Sequence, residues 1–183
     1  ASRDVVKLHT HLKSDVRYIG EVLMHEHNGR TLAKRIGRWH VEGVLETDAS
    51  TSTGWGWCWQ EKGWCQMGKW HGPQKEWHIN VMELHAVLVA LMVVLPHCTN
   101  AILHCVVDNT VTRGWLRKVG ASSWEATLIL REIAHLLLTH NTVLEVRWVQ
   151  SEHNPRADAL SRGDMQQLHG AWDGWCKLPI VWV

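Results

Sequence analysis

Four short segments each set one carboxylate among small, amide or apolar neighbours: Glu46-Thr47-Asp48-Ala49-Ser50, Asn80-Val81-Met82-Glu83-Leu84, Val106-Val107-Asp108-Asn109 and Asn154-Pro155-Arg156-Ala157-Asp158. If Asp48, Glu83, Asp108 and Asp158 converge, the donors are all oxygen. That set suits hard divalent cations such as Mg²⁺ or Mn²⁺, which take carboxylates and keep several waters. Two such ions about 4 Å apart can supply what phosphodiester hydrolysis needs: an activated water, charge neutralisation at phosphorus and support for the leaving oxygen. Without cations the same groups repel, at about 4 kcal/mol per pair for a separation of ~4 Å and an effective dielectric near 20. A purely structural role is hard to reconcile with that cost.

The elements that must position these carboxylates follow from pattern. Val44 to Asp48 reads as a strand, and after a polar turn Gly54 to Gln60 alternates so that Trp55, Trp57 and Trp59 share one face. Glu61-Lys62-Gly63 is a hairpin turn into a third strand, Trp64 to Trp70. Asn80 is expected to cap a helix running to about Leu95, with Glu83 in its first turn and Pro96 as the stop. Glu83 there also has a plain reading as a residue favoured by the positive helix end. Ala101 to Val107 is a nearly continuous apolar run, as in a central strand covered on both faces, and Asp108 stands at its C-terminal end. A helix from Thr110 to Lys118, a second one capped by Ser122 or Ser123 and reaching about His140, and a strand from Val143 to Val149 come next. Asn154 as N-cap and Pro155 at the first helical position then open the helix that carries Asp158.

The predicted architecture is α/β: a five-stranded mixed sheet, three antiparallel strands followed by parallel ones, with helices on both faces. Three regions are expected. Residues 1–40 carry a helical pattern (Leu12, Val16, Ile19, Leu23) that stops at His27-Asn28-Gly29, residues 41–164 bear the motifs, and residues 165–183 form a Trp-rich tail.

At 183 residues and 45% hydrophobic composition, the chain can bury one core. Lys and Arg number 19 against 18 Asp and Glu, so a nucleic-acid partner has to be held by a local patch and not by a whole-surface field. Five cysteines in irregular spacing suggest reduced thiols, not a disulfide framework, and Cys58, Cys65, His71 and His78 match no familiar zinc spacing. Thirteen tryptophans with no phenylalanine are read chiefly as core filling, with one or two open to a stacking role on nucleotides. The chain starts Ala-Ser-Arg without a charged-then-apolar leader, and the run Ala86 to Leu95 is short for a bilayer span. A soluble domain cut from something longer, with no membrane partner, is the expectation.

In its motifs the chain resembles the ribonuclease H domain of retroelement reverse transcriptases. The resemblance is finest to DIRS-like, tyrosine-recombinase retrotransposons, through TDAS and GWG (47–50, 54–56), INVMELHAV (79–87), VDN (107–109) and NPRADALSR (154–162). It covers about residues 43–164, and the preceding helix is similar to the connector that joins such domains to a polymerase.

What the resemblance implies is an endoribonuclease acting on the RNA strand of RNA/DNA hybrids during reverse transcription. Two Mg²⁺ ions, replaceable by Mn²⁺, are bridged by Asp48, with Glu83 and Asp108 holding one ion each and Asp158 completing a site. His153 stands where cellular ribonucleases H place a mobile histidine, although the loop here is shorter. Asn80 matches an asparagine that contacts hybrid in the family, and Ser50, Thr51, Asn109 and Asn154 are further candidate substrate contacts. The segment 109–123 lacks room for a long basic handle, leaving Arg113, Arg117 and Lys118 as a small patch. Expected partners are therefore the hybrid and the polymerase domain of the same polyprotein, in an intracellular setting, cytoplasmic or nuclear, with the element's particle.

Two other readings compete. A non-catalytic ribonuclease H-like connection module would lose one or more carboxylates, and none is lost. Integrases, DDE transposases and resolvases share the fold, but Asn80-x-x-Glu83-Leu84 and Ala157-Asp158-Ala159-Leu160-Ser161-Arg162 look like ribonuclease H.

Overall fold

The computed structural model describes residues 40–168 and 174–179, all within one compact unit, Arg38–Val183. The expected connector over residues 1–40 lies outside the described residues except for His40, as do Trp172 and Trp182 of the tail.

Six strands form one mixed sheet in the order β5-β4-β1-β2-β3-β6. β1 (His40–Ala49), β2 (Gly54–Trp59) and β3 (Trp64–Lys69) make an antiparallel meander, while β4 (Ala101–Val107) and β5 (Val143–Trp148) run parallel to β1. Gly63 closes the β2–β3 turn at φ +62°, a left-handed conformation that glycine adopts without strain. The sixth strand corrects the five-stranded expectation. β6 (Cys176–Lys177) lies parallel to the outer edge of β3, held by Cys176 N–H to the Gly63 carbonyl (2.6 Å) and Leu178 N–H to the Cys65 carbonyl (2.8 Å). A two-residue strand carries no periodicity, so its pairing is set by the edge it covers.

On one face α1 (Ile79–Val94) packs with α3 (Trp124–Thr139) over a core built from Leu45, Trp57, Trp59, Leu91 and Leu103, all fully buried. The face-sharing of Trp55, Trp57 and Trp59 is thereby explained as core filling. α2 (Thr110–Lys118) follows β4, and Ser123 caps α3 by accepting from Ala126 N–H. On the other face α4 (Pro155–Ser161) lies over β2, with Leu160 packed on Cys58 and Cys65. The approach is close: a Cβ on Gly56 would stand 2.3 Å from Leu160 Cβ and 2.6 Å from Ser161 N.

The stretch Ile79–His97 is 19 residues long with mean hydropathy 2.0, enough by length and composition to cross a membrane, which corrects the expectation drawn from Ala86–Leu95 alone. More than half of it is buried inside the protein, as befits a central helix that is apolar nearly all round. All five cysteines are free thiols. Cys58, Cys65, Cys98 and Cys105 are buried, whereas Cys176 is exposed on β6.

Candidate metal centre

Three of the four carboxylates meet at the C-terminal ends of β1 and β4. Asp48 closes β1, Glu83 reaches across from α1, and Asp108 follows β4. Each offers an oxygen such that all three lie within 4.8 Å of one another. Among the described residues this is the one group of His, Cys, Asp or Glu side chains placed to share a metal ion, so the Cys58, Cys65, His71 and His78 alternative is not assembled.

Asp158 is not part of that group. It sits on α4, half-buried, with Oδ1 accepting from Arg162 Nε at 2.8 Å, an i,i+4 pair on the helix surface. Its charge nonetheless reaches the cluster and disfavours ionisation of both Asp48 and Glu83.

Burial and mutual repulsion dominate the electrostatics. Desolvation first, then the charges of Asp108 and Asp158, push Asp48 up to about 7, against a hydrogen bond from Ser161 that lowers it. Desolvation also holds Glu83 well above the ordinary carboxylate range, reinforced by Asp48 and Asp108 and opposed by the Ala49 backbone N–H. Glu83 Oε2 is buried and has no hydrogen-bond partner. A buried carboxylate oxygen left unpaired beside two other carboxylates costs free energy that a cation removes, and an all-oxygen donor set is what Mg²⁺ or Mn²⁺ prefers. The residues present therefore fit a hard divalent cation.

Several groups that the sequence did not single out hold the cluster in place. Ser161 donates to Asp48 Oδ2 and Ser151 to Asp108 Oδ2. Trp148 Nε1 donates to the Asp108 carbonyl at 2.8 Å, fixing the backbone where β4 ends. Only the Asp158–Arg162 pair had a signal in the sequence, through its spacing of four on a helix. Ser161 and Asp48 are 113 positions apart.

The expected substrate contacts divide. Asn80 is not the N-cap: α1 begins at Ile79, and His78 Nδ1 accepts from Asn80 N–H at 3.2 Å. Glu83 accordingly falls just past the first turn. Freed from capping, Asn80 Oδ1 accepts from Asn109 Nδ2 at 2.9 Å, while Asn109 Oδ1 caps α2 through Val111 and Thr112 N–H. These two amides tie the start of α1 to the end of β4, on either side of the cluster. Asn154, expected among the substrate contacts, is fully buried and spends its amide on the Thr47 carbonyl at 2.9 Å. It positions α4 against β1 and is out of reach of a substrate. It occupies the N-cap position without a side-chain cap bond, its Oδ1 buried and unpartnered.

Ser50 pairs with Ser52 through their hydroxyls, and its carbonyl accepts from Trp70 Nε1. Thr51 is exposed in the same turn. His153 is exposed at the end of a 3-10 turn, Ser151–His153, that also carries the Asp108-bonded Ser151.

The sequence matches no protein-family model and no curated protein. Solved structures do resemble the fold. RNase H1 from the halophilic archaeon Halobacterium salinarum NRC-1 is 17% identical, with a TM-score of 0.51 over 69% of this chain and 98% of its own. LC11-RNase H1, isolated from compost and solved in complex with an RNA/DNA hybrid, is 18% identical, with a TM-score of 0.54 over 68% of this chain and 96% of its own. The N-terminal RNase H domain of a Mycobacterium tuberculosis protein is 14% identical, at 0.50 over 67% and 97%. The fold is ribonuclease H-like, with the mixed sheet expected and one strand more than expected.

Proposed function

We propose that this chain is a divalent-metal-dependent endoribonuclease that hydrolyses the RNA strand of RNA/DNA hybrids, working within a retroelement reverse transcriptase. The observation that carries the reading is the convergence of Asp48, Glu83 and Asp108 at the strand ends of a ribonuclease H-like sheet, with Asp48 and Glu83 held above their ordinary pKa by burial and by neighbouring carboxylates. One of the similar structures was solved with an RNA/DNA hybrid bound.

Asp48, Glu83 and Asp108 are the proposed holders of the cations, with Asp158 joining once Arg162 lets go of its carboxylate. When bound, a pair of Mg²⁺ ions supplies the charge neutralisation at phosphorus and at the leaving oxygen that in-line attack by water requires. Ser161 and Ser151 hold Asp48 and Asp108 in fixed rotamers, so the ligand oxygens are oriented before substrate arrives. His153, exposed on the turn beside Ser151, is the proposed carrier of a proton to or from solvent. Choice of RNA over DNA turns on the 2′-hydroxyl, for which Asn80, Asn109, Ser50 and Thr51 are the nearby polar readers. The proposed partner is the polymerase domain of the same polyprotein, in an intracellular setting, on the strength of the sequence resemblance.

Incubation with labelled RNA/DNA hybrid, duplex DNA and duplex RNA, each with Mg²⁺, Mn²⁺ or chelator, tests this. The expected result is metal-dependent cleavage of the hybrid's RNA strand alone. Asp108→Asn is expected to abolish cleavage while leaving the circular dichroism spectrum unchanged. Undiminished cleavage by that variant, or equal cleavage of duplex DNA, sinks the reading.

A further inference from the structure

A groove of about 820 Å³ opens beside the carboxylates, between the β1–β2 turn, the end of β3, the C-terminal end of α4 and the strap that carries β6. Lys69, Arg162 and Lys177 line it together with His71 and Ser52, and among the described residues no carboxylate does. In a chain whose formal net charge is +1, three cations gathered from three separate segments make a local field of the kind a polyanion needs. Two of its lining residues also touch the site: Ser161 donates to Asp48, and Arg162 donates through Nε to Asp158. A guanidinium has five N–H donors, so Arg162 keeps its terminal nitrogens for a second acceptor.

We propose that this groove is a subsite for backbone phosphates of the RNA strand, flanking the bond that is cleaved. The inference rests on the hydrolytic reading above, and the choice of strand rests on continuity. Groups that line the groove bond directly to the carboxylates, so an anion seated there belongs to the strand whose phosphate is being cleaved. Lys69 and Lys177 contribute long-range attraction and phosphate contact, and Arg162 adds the terminal nitrogens that its Nε bond to Asp158 leaves available. The β6 strap thereby has a part in binding as well as in covering the sheet edge, since it delivers Lys177.

The test uses the full chain and a fluorescent RNA/DNA hybrid, with affinity read by anisotropy in the Asp108→Asn background and kinetics in the active protein. Replacing both lysines, Lys69→Gln with Lys177→Gln, is expected to weaken hybrid binding, raise KM several-fold with kcat nearly unchanged, and flatten the slope of log K against log salt by about 2, one per lost phosphate contact. Both lysines are exposed, and the single variants serve if the pair lowers the melting temperature. Neutral methylphosphonates placed next to the cleaved bond in the RNA strand are expected to cost affinity when the lysines are present and little when they are absent. Unchanged affinity and salt slope in a double variant of a chain that cleaves hybrid would overturn the groove and leave the proposed function standing. Sensitivity to phosphonates in the DNA strand alone would overturn the choice of strand. A wild-type chain that neither binds nor cleaves hybrid would remove the hydrolytic reading and this one with it.

Discussion

At the scale of single residues, the cluster couples protonation, stability and metal. Asp48 has an ordinary value of 3.8 and is raised to about 7 in the fold, so between those limits the folded chain binds a proton that the unfolded chain has released. Its contribution to stability is therefore greatest below about pH 4 and is lost as pH rises through about 7. Glu83 shifts in the same direction. His85 acts oppositely: burial lowers it to about 4, so the stability of its neutral form is present above its ordinary 6.5 and fades on acidification. An Asp48→Asn variant separates the two effects. Without metal, thermal melts should show wild type losing stability relative to this variant as pH rises from about 4 to about 7. Mg²⁺ should restore it, raising the wild-type melting temperature more above pH 7 than near pH 5, because cation and proton compete for the same oxygens. A metal response that is independent of pH would speak against these carboxylates as ligands.

At the scale of elements, the position of α4 against β2 decides whether Ser161 and Asp158 can reach the site. Gly56 permits that contact, so Gly56→Ala must push Leu160 and the Ser161 backbone outward. The expected cost is about 1–3 kcal/mol, typical of overpacking, with a larger proportional loss of Mg²⁺-induced stabilisation than of fold. Differential scanning fluorimetry with and without Mg²⁺ reads both. Much of this arrangement was legible beforehand. Period-two alternation fixed the meander of β1 to β3, the apolar run ending at Asp108 marked a central strand, and Asn154-Pro155 marked the start of α4. The misses have a common cause. Asn80 has the chemistry of an N-cap, but Asn109, 29 positions away, engages its amide, and His78 caps instead. Asn154 occupies the N-cap position of α4 without a cap bond, and its Nδ2 donates to the Thr47 carbonyl, 107 positions away. Local propensity is overridden wherever a long-range polar partner is better placed, and such partners leave no trace in spacing.

At the scale of the whole molecule, a nearly neutral chain carries its positive charge in patches. One is the Arg113, Arg117 and Lys118 surface of α2, adjacent in sequence and visible there. Another, at Lys69, Arg162 and Lys177, exists only once β3, α4 and β6 are brought together. Ending the chain after Asp164 should therefore do two things at once. It removes the backbone bonds from Cys176 and Leu178 and the Gln66–Pro179 bond of 2.7 Å, each worth about 0.5–1.5 kcal/mol, and bares the edge of β3. A lower melting temperature, concentration-dependent association in light scattering and a weaker salt dependence of hybrid binding are the expected readouts. The distribution of thiols has a practical side as well. Cys58 and Glu46 share a buried hydrogen bond, and burial pushes Cys98 and Cys105 up to about 12, so these sulfurs are poor nucleophiles shielded from reagents. Cys176 alone is exposed, one residue before Lys177. A maleimide dye would attach there in a one-to-one ratio without mutagenesis, giving the protein its own optical reporter one residue away from the groove lining.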